Sequence, residues 1–283
     1  MQKNFGIASD ASTVNLYLLR KKYNIEVAES DGILFRHYNG KNINRCGYGF
    51  PLSYKNFDLS AAIEILKADS ELRGENLRFC LCNEEQRAEI DKIISVDWKF
   101  FDGDCDYIYR MENFAQLVGR KFHRKKNHFN KFMKEYPNSE YFPLTTENFP
   151  DALQIAEKWF AEKFDEDISL KIELAGIKEA INNWENLGMK GGILYADDEP
   201  AAMVMFSVLN ENCIDVHFEK STNKFAATGA FVAINKFIAS SAENFSREYI
   251  NREEDMGIPG LKKAKESWQP NFKLKKYYGE ILK

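Results

Sequence analysis

The sequence predicts a mixed α+β fold with mixed α/β sheets, built in two parts and joined by a basic helix. Three observations carry that expectation. Strand-like and helix-like segments are intermixed in both halves of the chain. A polar stretch from Asn138 to Asn148, flanked by Pro137 and Pro150, separates the halves. Just before it, seven of the sixteen residues from Gly119 to Lys134 are basic and none is acidic. The expected division is therefore 1–118, a helix over 119–138, and 139–283.

At 283 residues the chain can hold one large domain or two of medium size. Its hydrophobic and charged fractions, 44% and 29%, are ordinary for a globular protein. A net charge of -4 argues against general coating of nucleic acid, but it leaves room for a local basic patch. No apolar run approaches the roughly 20 residues that span a bilayer. Met1-Gln2-Lys3-Asn4-Phe5-Gly6 has no apolar signal core. The five cysteines are odd in number and scattered, and Cys80 and Cys82 share one face of a strand, which suits burial. A reduced, cytoplasmic protein is expected. No metal is expected, and there is no GxxxxGK[ST] loop or GxSxG elbow.

Taken in order, Ala11 to Lys22 predicts a short helix. Ile25 to Ala28 and Ile33 to Tyr38 flank Asp31-Gly32, a strong hairpin signal. Residues 58–73 carry Leu59, Ile63 and Leu66 on one stripe and end at Gly74. Leu77 to Cys82 predicts a strand. Asn83 is placed to cap a helix over Glu84 to Ile94. Tyr107-Ile108-Tyr109 predicts a short strand. In the basic segment Val118, Phe122, Phe129, Phe132 and Met133 approximate a helical apolar stripe, so a docked helix is expected rather than a tail. Arg120, Lys121, Arg124, Lys125 and Lys126 would then face phosphates, or simply solvate a surface. After the connector, Leu153, Ala156, Trp159 and Phe160 mark one helix. Leu170, Leu174, Ile177, Ile181 and Trp184 mark another, ended by Gly188.

The centre of the second half is Gly191 to Ser241. A hairpin runs from Ile193-Leu194-Tyr195-Ala196 through Asp197-Asp198-Glu199-Pro200 into the apolar run Ala201 to Leu209. That run is apolar on both alternating faces, as a covered central strand is. The next strand, Cys213 to Glu219, differs. Strict alternation puts Ile214, Val216 and Phe218 on one face and Asp215, His217 and Glu219 on the other. Those three could equally be a solvated strand face. A polar loop, Ser221 to Lys224, and Thr228-Gly229 lead into the apolar helix Ala230 to Ala239. Free N–H groups at such a helix start bind anions. Tyr249-Ile250-Asn251 predicts a strand, leading to Arg252-Glu253-Glu254-Asp255. Pro259 is placed to begin a helix carrying Lys262, Lys263 and Lys265. Phe272 to Ile281 predicts one last strand.

Several segments together carry a resemblance. They are Asp106-Tyr107-Ile108-Tyr109, Gly119-Arg120-Lys121-Phe122-His123-Arg124-Lys125-Lys126-Asn127-His128, His217-Phe218-Glu219-Lys220, and Tyr249 to Gly257 followed by Gly260-Leu261-Lys262-Lys263-Ala264-Lys265. The chain resembles the phosphatidylglycerol lysyltransferase C-terminal domain family, in its soluble, stand-alone bacterial branch, from about Ser9 to Leu282. The resemblance implies two GNAT-like domains in tandem and kinship with Fem-type transferases that use aminoacyl-tRNA. Two departures stand out. The membrane-bound lysyltransferases carry a transmembrane module that has no counterpart here. The Q/R-x-x-G-x-G/A signature that holds the acyl-CoA pyrophosphate is reduced to Asn223-Lys224-Phe225-Ala226-Ala227-Thr228-Gly229-Ala230.

The expected chemistry is acyl or aminoacyl transfer to an amine or hydroxyl, with acyl-CoA or aminoacyl-tRNA as donor substrate and no tightly bound cofactor. Such transfer needs a base and donors for an oxyanion. His217 and Glu219 are the expected base and orienter, with Glu253 and Asp255 in reserve. Backbone near Lys220, together with Lys224, Thr228 and Gly229, is the expected donor-binding group. Arg120, Lys121, Arg124, Lys125 and Lys126, with Lys262 and Lys263, would hold tRNA or another polyanion. The acceptor could be a small molecule, a peptide or a lipid head group. Two other functions fit the same residues: a non-catalytic module binding RNA or anionic head groups, and an acetyl-CoA-dependent N-acetyltransferase.

Overall fold

The computed structural model describes residues 6–163, 168–241, 244 and 246–282. The chain begins with α1 (Thr13–Leu19), shorter than the expected 11–22 and capped by the Ser12 side chain. The hairpin β1 (Glu26–Ser30) and β2 (Ile33–Asn39) follows, turning where Asp31 and Gly32 both take positive φ. Then come β3 (Cys46–Tyr48), β4 (Leu52–Ser53), α2 (Leu59–Arg73), β5 (Arg78–Cys82), α3 (Glu84–Asp91) and β6 (Val96–Phe100). Asp58 caps α2, and Gly74 ends it in the left-handed conformation. Asn83 and Gln86 close a capping box on α3.

The second half runs β7 (Asp106–Arg110), α4 (Met111–Gln116), α5 (His123–Glu135), β8 (Glu140–Pro143), α6 (Phe149–Glu162) and α7 (Ile168–Asn182). It continues with β9 (Lys190–Ala196), β10 (Glu199–Asn210), β11 (Cys213–Ser221), α8 (Asn223–Ala226), α9 (Ala230–Ser240), β12 (Tyr249–Asn251), α10 (Pro259–Glu266) and β13 (Phe272–Leu274). The last element is β14 (Tyr277–Ile281).

Two compact units result. The first takes the chain up to Asp106, Glu254–Lys262 and the chain from Lys273 on; the second takes Tyr107–Glu253 and Lys263–Phe272. The first unit holds a sheet in the order β1-β2-β3-β5-β14-β6, with β4 beside β2. Its core is Phe35, Ile63, Leu66, Leu77, Phe79 and Ile90. The second unit's sheet runs β13-β7-β12-β11-β10-β9-β8. Its core gathers Val204, Phe206, Ile214, Val216 and the apolar face of α9.

These units do not coincide with the boundaries expected at 118/119 and 138/139. The basic helix α5 is part of the second unit, where Phe132 is buried and Phe129 meets Phe237 of α9 edge-on. The last strand expected over Phe272 to Ile281 is two strands. β13 belongs to the second sheet, while β14 inserts between β5 and β6 of the first. The polar connector is also more ordered than its composition suggests, because Glu140 to Pro143 pair with β9 as an edge strand. An edge strand buries little, so it shows no alternating pattern.

Candidate active site at the gap between two parallel strands

The site is built on β11 and β12. They pair in parallel only from Cys213↔Tyr249 to Asp215↔Asn251. β12 then ends, while β11 continues to Ser221. Among the described residues no strand pairs with that edge of β11 beyond Asp215. A gap opens there, and the side chains of β11 and of Arg252 and Glu253 flank it.

A β-bulge decides which side chains share a face. Phe206 pairs with Val216 and Met205 pairs with Phe218, so His217 is the extra residue. Directly paired residues share a face. Val216 therefore lies with Phe206, and Phe218 lies opposite, with Met205. The same shift carries Glu219, paired with Val204, to the face covered by α9, whereas Asp215, paired with Ser207, stays on the other. The expected shared face of Asp215, His217 and Glu219 is therefore corrected. Strict alternation fails at one inserted residue, and Glu219 is not placed to orient His217. Contacts agree: Glu219 Oε1 accepts from Asn235 Nδ2 of α9 at 2.7 Å, while Phe218 packs toward Gly176 of α7.

Two polar arms diverge from consecutive residues. In the first, His217 Nδ1 lies 3.0 Å from Glu253 Oε1 and Nε2 lies 2.8 Å from Ser207 Oγ. Asp215 Oδ2 is 3.7 Å from the same Nδ1. A carboxylate only accepts, so in a neutral ring bonded to ionised Glu253 the proton is on Nδ1 and Nε2 accepts from Ser207. Asp215 and the His217 ring are buried, whereas the Glu253 side chain is 23% exposed and forms the open end of the chain. Glu253 holds a positive φ of 57°, fixed by its N–H on Asn251 Oδ1 and by Lys265 Nζ, which donates to the carbonyls of Arg252 and Glu253. Asp215, His217 and Glu253 offer donor atoms within 4.8 Å of one another, a spacing a cation could share.

In the second arm, Arg252 Nη2 donates to Glu219 Oε2 at 2.6 Å. The guanidinium lies about 6 Å from the rings of Tyr109, Phe114 and Trp268. Phe114 stacks on one face of Trp268 at 4.1 Å, and Lys125 Nζ sits over that ring at 4.4 Å and donates to Ser267 Oγ. Burial, then the nearby Arg252 charge, lowers the Lys125 pKa to about 8.

The other expected residues lie elsewhere or have their own partners. Asp255 is buried in the first unit, where its carboxylate accepts from the Gly257 N–H. Lys220 pairs with Glu173 at 2.6 Å and lies over Trp159, and Lys224 pairs with Glu199 on the surface. The Thr228 hydroxyl donates to the Phe225 carbonyl. A Cβ at Gly229 would stand 2.4 Å from the His128 carbonyl oxygen, so α5 closes the start of α9. Those four do not form one anion cradle. Arg120, Lys121, Arg124 and Lys126 are exposed around α5, and Lys125 alone of the five turns toward the second arm. Lys262 pairs with Asp102 in the first unit, and Lys263 is exposed.

Sequence reasoning did not single out Ser207, Asn235, Arg252, Lys265 or Trp268 as site residues. Arg252, next to Glu253 at a strand end, gave the one local signal. The rest depend on the strand register.

A family model described as phosphatidylglycerol lysyltransferase, C-terminal, matches residues 7–279. The chain belongs to that family. A conserved protein of unknown function from Bacteroides thetaiotaomicron VPI-5482 is similar over 96% of this chain and 91% of its own, with 31% identity and TM-score 0.87. The L-PGS structure from Bacillus licheniformis shares the fold at 15% identity and TM-score 0.64, over 99% of this chain and 94% of that one. FemX shares it at 9% identity and TM-score 0.62, over 97% and 91%. An uncharacterised protein of Mycoplasmoides gallisepticum is 19% identical over 181 residues, 64% of this chain and 58% of that relative's length. The two sheets fit a tandem GNAT-like arrangement, and the lysyltransferase family is one of aminoacyl or acyl transferases. Among the described residues no helix is long and apolar enough to cross a membrane.

Proposed function

We propose that this lysyltransferase-family chain moves an aminoacyl group from aminoacyl-tRNA to an amine or hydroxyl acceptor. The observation that carries the proposal is the Ser207–His217–Glu253 chain, whose exposed end stands at the gap beside β11. Glu253 takes the proton of the attacking acceptor, and His217 behind it orients the carboxylate and shares the charge. The acceptor attacks the ester carbonyl, the acyl–oxygen bond breaks, and the released ribose hydroxyl takes up a proton. Glu219 has a different part, holding Arg252.

The donor assignment rests on two features. The closed start of α9 disfavours a CoA pyrophosphate at Thr228-Gly229. The exposed cations of α5 favour a polyanionic donor in the same unit. The test is incubation of the purified chain with a mixed pool of labelled aminoacyl-tRNAs and an acceptor panel of free amines, glycerophosphoglycerol and short peptides. Transfer of label that Glu253→Gln abolishes supports the proposal. Transfer from acetyl-CoA instead would replace it with the N-acetyltransferase, and no transfer from either donor would replace it with a binding module.

A further inference from the structure

The second arm carries more positive charge than it uses. Lys125 and Arg252 both neighbour Trp268, and one carboxylate, Glu219, faces them. Arg252 Nη2 is bonded to Glu219, but Nη1 is buried and has no hydrogen-bond partner among the described residues. A buried guanidinium N–H left unbonded is costly. Trp268 and Ser267 hold a second cation, Lys125, beside it, although the Arg252 charge works against that of Lys125. A single anion would answer both. It would accept from Nη1 and offset the surplus charge.

We propose that Arg252 and Lys125 form a subsite for one singly charged phosphodiester. A diester fits better than an isolated carboxylate because further cations are exposed around the same helix. Arg124 and Lys126 flank Lys125 on α5, and Arg120 and Lys121 precede it, all exposed. Trp268 is covered by Phe114 on one face and Lys125 on the other, so it positions the cations rather than stacking a base. The inference deepens the proposed function, resting on it only for the source of the phosphate.

The test uses ligands that cannot react: the unacylated trinucleotide CpCpA, and glycerophosphoglycerol as a lipid head group. Both are titrated into the full chain by calorimetry at two salt concentrations. At least one is expected to bind. Lys125→Gln should weaken that binding about tenfold or more, the worth of one charged hydrogen bond. It should also flatten the salt slope by about 0.7. Lys134→Gln, which removes the same charge from the exposed end of α5, should change little. Lys125 is only half-buried, so its variant is expected to fold, whereas Arg252→Gln would leave Glu219 without its cation.

Binding of CpCpA identifies RNA as the source, and binding of glycerophosphoglycerol alone identifies a head group. If neither binds, or Lys125→Gln binds as tightly as wild type, or Lys134→Gln loses as much, the subsite is refuted. A chain that binds CpCpA yet transfers nothing keeps the subsite and loses the proposed function. A Lys125→Gln variant that transfers at the wild-type KM does the reverse.

Discussion

Each unit buries a cluster of charges, and the two clusters are completed differently. In the first unit Lys276 Nζ meets Asp106 Oδ1 at 2.6 Å, Ser9 Oγ at 2.9 Å and Asp10 Oδ1 at 3.1 Å. Two of these contacts are hydrogen bonds, and the third is an ion pair in which Asp10 Oδ1 takes no hydrogen bond. Arg36 donates to the carbonyls of Asp10 and Phe50, and Arg45 pairs with Asp104 and Glu254. Three cations there face four carboxylates. In the second unit two cations, Arg252 and Lys125, face Glu219, and one guanidinium nitrogen has no partner among the described residues. Burial of charge therefore does not by itself mark a site. Nor does one open donor, since Arg36 Nε of the first cluster also has no partner among the described residues; the contrast lies in the balance of charge, with carboxylates in excess in the first cluster and cations in the second.

The largest effect that follows is on stability. Lys276→Met would leave Asp10 and Asp106 buried without their shared cation. Breaking one side of a buried pair costs about 3–5 kcal/mol, and urea unfolding should show a loss of that size. The Lys276 pKa is raised: burial lowers it, but the surrounding carboxylates, Asp106 first, then Asp10 and Glu254, outweigh burial. Its contribution is therefore complete below the ordinary lysine pKa and is lost only as pH rises through the higher folded value. A loss under about 1 kcal/mol, in the range of an exposed pair, would erase the contrast between the clusters.

Next in size is an effect on rate. Glu253→Gln keeps the volume and removes the proton acceptor, so transfer should fall by about 10²–10⁴-fold with the unfolding midpoint little moved. A large fall in stability with an unchanged rate would make the Ser207–His217–Glu253 chain a structural cluster like that of Lys276. Glu219→Gln should do something else. It removes the one carboxylate facing Arg252, costing about 1.5–3 kcal/mol for a charged hydrogen bond. It also leaves the arm more positive, so CpCpA should bind more tightly. Abolished transfer with binding intact would return Glu219 to the reacting centre.

Sequence patterns reached as far as local physics reaches. The cap at Asn83, the helix end at Gly74, the Asp31-Gly32 turn and the apolar helix from Ala230 could be read because the signals lie within a few residues. His217 and Glu253 could be singled out as chemistry-bearing residues, one within a strand and one just past a strand end. Their pairing could not, since it needs β12 parallel to β11 and the two residues stand thirty-six positions apart. The partner expected for His217 was two residues along its own strand, and one bulge moved it to the other face. The split of the chain's end between two sheets was equally hidden, because β14 pairs only with strands nearly two hundred residues earlier.

The smallest effect is the one that separates the clusters by sign. Lys276 is raised by its carboxylates, whereas Lys125 is lowered, by burial first and by Arg252 second, to about 8. Between about 8 and the ordinary lysine value, the unfolded chain holds a proton that folded Lys125 has released. Stability contributed by this group must then rise with pH across that window, and Lys125→Gln should remove the rise. Arg252 and Arg124 face Lys125 and lower it, Glu219 acts in the opposite sense, and His128 is itself lowered. Binding should run the other way. A phosphodiester needs the ammonium form, so CpCpA affinity should fall as pH rises through about 8, and Lys125→Gln should bind weakly and evenly across the range. A wild-type affinity flat from pH 7 to about 9 would mean that Lys125 keeps its charge without the anion. Nothing in the second cluster would then await a ligand more than anything in the first.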